Sequence, residues 1–203
     1  VYQAEDIELI HKLQEVPIAG FDKWFGDFWE FFHQSGLNRN TILILTADHG
    51  DEHGERGMVG HASTTQLGHL HEEIVRVPLF IWLPQNIYHE NSNKEITTPS
   101  SHIDLIPTIF ALLGKKTSRP LTGRNLFSHT PPSPWLAMTS SGGFSEPDPE
   151  NIRYFEYSAI EDYWKLRLKI DSNGNESFWL YNLAIDPGEN TNLSEQQAVQ
   201  VSR

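Results

Sequence analysis

Apolar residues near the N-terminus recur at helical spacing and predict two helices. The first pattern continues until Pro17 and Gly20 interrupt it. Its apolar positions are Ala4, Ile7, Ile10 and Leu13. The second pattern is a single stripe of aromatic rings that meets a stop signal at Gly36. The rings are Phe21, Phe25, Phe28 and Phe32. A stripe of this kind is typical of core packing, so we expect the rings to be buried and assign them no chemistry.

Two continuous apolar runs, "TILILTA" and "RVPLFIWLP", predict strands that are buried on both faces. Strands of that kind are typical of a parallel sheet covered by helices. The connection between the two runs is roughly thirty residues long and rich in Gly, His and Glu, and long loops of this type tend to be functional. Ligands of open α/β sheets bind beyond the carboxyl ends of the strands. Asp48 therefore lies where a ligand site is expected.

The rest of the chain predicts one more helix and then a change of architecture. "SHIDLIPTIFALLG" indicates a helix with Asp104 as its N-cap and Gly114 as its stop. The segment from Ser128 to Asn151 is rich in Pro, Ser and Gly and contains one strand-like run, "WLAMTS". Three aromatic and β-branched runs follow and predict an antiparallel meander, and "SEQQAVQVSR" reads as the start of a polar helix or a frayed end.

These elements predict an α/β fold in two parts. Residues 1–128 would be an α/β part, with part of a largely parallel sheet flanked by helices. Residues 129–203 would be a small antiparallel β-sheet subdomain with a C-terminal helix.

Composition and charge narrow the class of function. The chain has 203 residues, 38% of them hydrophobic, and a formal net charge of -12. That charge argues against nucleic acid as a partner, because phosphates favour a basic surface. No apolar run is long enough for a transmembrane helix, and "VYQAEDIELI" is too polar for a signal peptide. The absence of cysteine excludes disulfides and a thiol nucleophile within this sequence.

The long connection concentrates residues that bind metals. Five of the ten histidines lie there, interleaved with carboxylates. They are His49, His53, His61, His69 and His71. Adjacent Asp48 and His49 at a strand end can direct one oxygen and one nitrogen at a common divalent cation. The alternative is a polar turn in which Asp48 caps the next segment and the histidines are solvated. For His53, Glu55 and Arg56 we favour a solvated loop face.

Several motifs in order resemble the sulfatase family of the alkaline phosphatase superfamily. They are "TILILTADHGDEHGERGMVGH", "HEEIVRVPLFIW", "SHIDLIPTIFALLG", "LTGRNLF", "YWKLRL" and "LYNLAIDPGENTNLSE". The closing Asp-Pro-x-Glu turn followed by Asn-Leu is the most specific of them. The resemblance covers essentially the whole chain and corresponds to the C-terminal half of a family member.

The resemblance implies a site. Asp48 and His49 match the positions that reach the active-site cation, which we expect to be Ca²⁺, with Mn²⁺ or Zn²⁺ open because position 49 is an imidazole. His61 matches the residue that contacts the sulfate oxygens and protonates the leaving group. His69 is a second candidate for that role, because the loop is longer here than in common members.

The family's nucleophile is a formylglycine made in a Cys/Ser-x-Pro-x-Arg motif, and an Asp-Asp pair supplies further metal ligands. Neither motif occurs in the sequence. We therefore expect both outside this chain, in the N-terminal half of the same enzyme, and expect the isolated chain to be inactive. The family's habit of export leads us to suspect a secreted, periplasmic or lysosomal location.

The function that this implies is metal-dependent hydrolysis of a sulfate ester in a small molecule or glycan. The first alternative is a phosphoric or phosphonic ester hydrolase, or a phosphotransferase, of the same superfamily. The second is a non-catalytic interaction module. The identity of the nucleophile separates the first two, and metal binding at Asp48 separates both from the third.

Overall fold

The computed structural model describes residues 3–61, 70–87, 95–96, 98–128, 135–140 and 154–197. Its α-helices are α1 (Ala4–Gln34), α2 (Glu72–Val75) and α3 (Leu105–Leu112). Its strands are β1 (Leu43–Thr46), β2 (Glu52–His53), β3 (Val59–Gly60), β4 (Leu79–Trp82), β5 (Trp135–Ser140), β6 (Tyr154–Glu161), β7 (Trp164–Asp171) and β8 (Glu176–Asn182). None of the described helices is both long enough and apolar enough to cross a membrane.

The chain divides into two compact units. The first comprises Val1–Tyr88, Met138–Glu156 and Lys169–Ser177. The second comprises His89–Ala137, Tyr157–Leu168 and Phe178–Arg203. The boundary predicted after residue 128 adjoins residues 129–134, outside the described residues, and stays a prediction.

The N-terminal segment is one helix, so the prediction of two helices was wrong. Helix α1 is 31 residues long and contains Pro17 in its interior. A proline has no N–H to donate to the carbonyl of Leu13, but its fixed φ is a helical value. The chain can therefore pass through Pro17 at the cost of a hydrogen bond. At the start of the helix, Gln3 N donates to Asp6 Oδ2 at 2.8 Å.

The aromatic stripe on α1 is buried at only one end. Phe32 is 1% exposed, whereas Phe21 is 46% exposed, so the prediction of four buried rings was too broad. The buried end packs against β4, where the Trp29 and Trp82 rings meet edge to face with centroids 5.1 Å apart. Within the first unit this contact fixes α1 against the strand that follows the long loop.

The two apolar runs form strands β1 and β4, as predicted, but these strands are not parallel to each other. They pair antiparallel, with Leu43 opposite Trp82 and Thr46 opposite Leu79. A largely parallel sheet flanked by helices is therefore not what the described residues show; they form small antiparallel sheets. The reason is that an apolar run reports burial of a strand, whereas its direction depends on the partner.

Helix α3 begins where the sequence predicts, with Asp104 as its N-cap. The Asp104 carboxylate is buried and accepts hydrogen bonds from Ser101 N at 3.0 Å and from Arg124 N at 2.8 Å. Asp104 thus ties the start of the helix to the segment that follows it, within the second unit.

The last sheet has the strand order β5-β6-β7-β8. Only short turns join β6 to β7 and β7 to β8, so these neighbours run antiparallel, as the meander predicted. Strand β7 contributes the buried Lys165, whose Nζ donates to Glu189 Oε1 at 2.7 Å. Of the predicted C-terminal helix, residues 194–196 form a turn and residues 198–203 lie outside the described residues.

Candidate functional site

The end of β1 presents Asp48 and His49 to solvent. The strand ends at Thr46, and Asp48 Oδ1 then accepts a hydrogen bond from His49 N at 3.1 Å. The Asp48 side chain is 92% exposed. Its own backbone N–H, followed by the neighbouring His49, holds the pKa of the Asp48 carboxyl below its usual value. Asp48 is therefore an ionised, accessible carboxylate, which suits a cation ligand.

The His49 ring is oriented by its own backbone neighbourhood. Its Nδ1 lies 3.0 Å from the Gly50 carbonyl oxygen. A carbonyl can only accept, so this bond places the hydrogen on Nδ1 and leaves the Nε2 lone pair free for a cation. Nε2 lies 3.8 Å from Asp48 Oδ2. Two atoms bound to one cation at about 2.1–2.4 Å can lie at most about 4.5 Å apart, so the pair fits a common metal ion.

Gly50 anchors the turn after β1 to α2. Its N–H donates to the Ile74 carbonyl at 2.8 Å. A Cβ at position 50 would lie 2.0 Å from the Glu73 carbonyl oxygen, a distance that no packing tolerates. The glycine of the Asp-His-Gly motif is thus required for the close approach of two backbones, and its place fixes the direction of His49.

The hairpin of β2 and β3 brings a second histidine to the first. Glu52 pairs with Gly60 and His53 with Val59. This register sets Asp51 opposite His61, and the His61 Nδ1 lies 2.8 Å from Asp51 Oδ1. The His61 ring in turn lies against the His49 ring, with centroids 4.1 Å apart.

An ion cluster holds the base of the hairpin. Arg56 has a left-handed backbone, φ 54°, and its Nη2 donates to Glu52 Oε1 at 2.7 Å and to Glu73 Oε2 at 2.5 Å. The Glu52 side chain is buried, and this burial raises its pKa although Arg56 opposes the change. Burial would lower the pKa of Arg56, but the bonds to Glu73 and Glu52 raise it on balance. Arg56 therefore links the loop to α2, which differs from the predicted solvated loop face.

The structure brings together three of the four residues singled out from the sequence. Asp48, His49 and His61 lie at one corner of the first unit. His69 lies outside the described residues, so its role stays a prediction. His71 is buried at the start of α2.

Asp51 was missed by the sequence reasoning. Among the described residues, His49, Asp51 and His61 form a trio whose ligand atoms all lie within 4.8 Å of one another. The signal that could have found Asp51 is the pair of glycines, Gly54 and Gly57, that close a hairpin between the charged runs.

Comparisons with known proteins support the resemblance. The sulfatase family model matches residues 18–115, the part that holds Asp48, His49 and His61. Arylsulfatase K of Xenopus laevis is 23% identical over 201 residues, which covers 96% of this chain and 35% of that protein. The delta 4,5-hexuronate-2-O-sulfatase of Bacteroides thetaiotaomicron is 27% identical over 171 residues, which covers 80% of this chain and 32% of that protein.

A solved structure shares the fold. The phosphonate monoester hydrolase of Agrobacterium radiobacter superposes with a TM-score of 0.70 at 21% identity, over 92% of this chain and 37% of that one. The chain spans about a third of the length of the curated relatives named above. The residues that the family model matches include the corner described here, and the resemblance to the sulfatase family that the sequence motifs indicate is confirmed.

Proposed function

We propose that the chain is the C-terminal part of a metal-dependent sulfuric ester hydrolase. In this proposal Asp48 and His49 hold the cation and His61 protonates the departing alcohol. The observation that supports this proposal is the close arrangement of these three residues. Asp48 Oδ2 lies 3.8 Å from His49 Nε2, and the His61 ring lies 4.1 Å from the His49 ring. One small anion at this corner could be reached by the cation and by the proton donor together.

Asp48 and His49 would each supply one ligand atom to the cation. Asp48, held ionised, supplies a hard oxygen, and His49 supplies Nε2 because Gly50 fixes its tautomer. Held by Asp48 and His49, a divalent cation would supply positive charge that stabilises the sulfate oxygens during the reaction. Ca²⁺ is the cation we favour, with Mn²⁺ or Zn²⁺ as the alternatives that the imidazole suits.

Two ligands do not complete a calcium site, which takes about six to eight oxygens. We therefore propose that the remaining ligands and the formylglycine nucleophile come from the N-terminal part of the same enzyme. The relatives support this division, because the chain matches only 35% and 32% of their lengths.

His61 is the proposed proton donor because of its partner. Asp51 accepts from Nδ1 at 2.8 Å, and this bond fixes the ring so that Nε2 is left for the ester oxygen. His69 remains the second candidate for the same role. The substrate class that we propose is a sulfated small molecule or glycan, in keeping with the hexuronate sulfatase named above.

The test uses the complete enzyme and 4-nitrophenyl sulfate. Asp48→Ala should remove the bound divalent cation, measured by elemental analysis, and lower kcat/KM at least about a hundredfold, since the cation supplies several kcal/mol of charge stabilisation. Glu195→Ala, which removes an exposed carboxylate in the last described turn, is the control and should change neither quantity. Unchanged metal content and hydrolysis in Asp48→Ala would refute the site assignment.

A second candidate function is hydrolysis of a phosphoric or phosphonic ester, or phosphoryl transfer. The fold likeness to a phosphonate monoester hydrolase and the nitrogen ligand at position 49 favour it. Comparing kcat/KM for 4-nitrophenyl sulfate, 4-nitrophenyl phosphate and a phenylphosphonate ester on one preparation separates these reactions. A complete protein that cleaves none of them and binds no cation would instead be a non-catalytic interaction module.

A further inference from the structure

We infer that Arg56 is a positioning residue for His61. By tying the β2–β3 hairpin to α2, Arg56 fixes how far the proposed proton donor lies from the cation ligands at the end of β1. The inference rests on the proposed function and deepens it, because it adds a residue that acts on the reaction only through the placement of His61.

Helix α2 supports both the turn after β1 and the hairpin. The turn is attached to α2 because Gly50 N donates to the Ile74 carbonyl at 2.8 Å. The hairpin is attached to it because Arg56 Nη2 donates to Glu73 Oε2 at 2.5 Å. Glu73 and Ile74 are consecutive residues of one helix, so the relative position of the two histidine rings depends on both attachments.

The hairpin needs this attachment because its other contacts give it shape rather than position. Its ladder has only two residue pairs, and Gly54 N closes the turn by donating to the Met58 carbonyl at 2.8 Å. On its other side Gly54 lies against Ile7 of α1. An apolar contact of that kind is not directional, whereas a charge-assisted hydrogen bond is. Without the bond from Arg56, the hairpin and His61 should therefore shift together.

The ion cluster around Arg56 is shielded enough from water to fix a geometry. The side chains of Glu52, Arg56 and Glu73 are 1%, 23% and 22% exposed. Fully exposed ion pairs contribute little, but a guanidinium fork that joins two shielded carboxylates holds them in a defined direction. A misplacement of about 1 Å can cost about a hundredfold in rate, so the position of His61 matters for proton transfer.

The experiment compares two sulfate esters on the complete enzyme. 4-Nitrophenol is a stronger acid than phenol, so 4-nitrophenyl sulfate needs little help from a proton donor, whereas phenyl sulfate depends on it. Glu73→Ala removes the attachment to α2 and leaves Arg56 bonded to the buried Glu52. We expect Glu73→Ala to lower kcat for phenyl sulfate about tenfold or more and kcat for 4-nitrophenyl sulfate at most about twofold. The bound metal content, measured by elemental analysis, should not change.

Arg56→Gln should show the same selective loss. The double variant Arg56→Gln/Glu73→Ala should lose no more than Arg56→Gln alone, because both changes act through one bond. The control is Arg39→Gln, a change at an exposed arginine just after α1, which should alter neither ester. A purely structural effect would lower the amount of folded enzyme and so reduce hydrolysis of both esters equally.

An equal loss for the two esters, or no loss in either variant, would overturn the inference. An unsubstituted enzyme that cleaves neither ester would reject the proposed function, and the placement of His61 is then decided by ¹H NMR. The His49 and His61 rings lie 4.1 Å apart between centroids, close enough to shift each other's ring signals. Glu73→Ala should reduce these shifts, and unchanged ring signals would show that Arg56 does not position His61.

Discussion

Among single residues, Gly50 determines most directly where His49 points. We expect Gly50→Ala to lower the free energy of unfolding by about 1–3 kcal/mol, as overpacking does. The reason is that the new Cβ would stand 2.0 Å from the Glu73 carbonyl oxygen. Chemical denaturation measures the loss, and cation binding at the Asp48–His49 corner should weaken in parallel.

The matched control is Gly26→Ala in α1, where an added Cβ meets nothing within 4 Å. Because alanine is the better helix former, Gly26→Ala should stabilise the chain by about 0.5–1 kcal/mol. Equal effects of the two substitutions would show that the approach of Gly50 to α2 is not required.

The residues of the site differ in how far the sequence reveals them. Asp48 and His49 are predictable, because the sequence itself contains an apolar strand-forming run that leads directly into an Asp-His pair. Asp51 is not predictable in the same way. Its importance depends on the register that places it opposite His61, and register follows from hairpin geometry rather than from residue type.

Among the elements, the closing turn gives a pH-dependent prediction. Asp186 accepts hydrogen bonds from Asn190 N at 2.9 Å and from Thr191 N at 2.8 Å. The bond from the Asn190 backbone, above all, lowers the pKa of Asp186 from its usual value of 3.8. A lowered pKa in the folded state gives stability that is present above pH 3.8 and lost as the pH falls through the folded value.

Asp186→Asn should therefore reduce the free energy of unfolding at pH 7, and the difference from the unsubstituted chain should shrink as the pH falls below 3.8. Urea denaturation at pH 7 and at pH 3 measures it. Asp162→Asn is the control, an exposed turn residue at φ 54° that asparagine tolerates. A pH-independent difference for Asp186→Asn would contradict the assigned role of the carboxylate.

Among the elements, the residue pattern predicts that a helix or strand exists better than it predicts helix continuity or strand direction. The existence of β1, β4, α3 and the final sheet follows from apolar runs and caps. The continuity of α1 through Pro17 does not, because a proline penalty of about 3 kcal/mol can be outweighed by the rest of a long helix. The direction of β1 against β4 does not either, since strand direction depends on partners that a single run cannot specify.

At the scale of the whole molecule, α1 exposes an apolar face, and the chain spans only part of the length of its relatives. Leu13, Trp24 and Phe31 are 61%, 58% and 57% exposed, a high degree for side chains of their size. The chain spans 35% and 32% of the two sulfatases named above. If the proposed function holds, the N-terminal part of the same enzyme would cover this face.

This proposal makes a final prediction about association. The chain on its own should self-associate with increasing concentration, because contact between copies removes apolar α1 surface from water at about 25 cal/mol per Å². Trp24→Gln should shift the association to higher concentration, whereas Lys23→Gln, a polar change at the adjacent position, should leave it unaltered. Sedimentation velocity across a dilution series measures both. In the complete protein the same Trp24→Gln should instead lower the melting temperature, because there the ring would be covered; equal melting temperatures would show that this face of α1 stays in water.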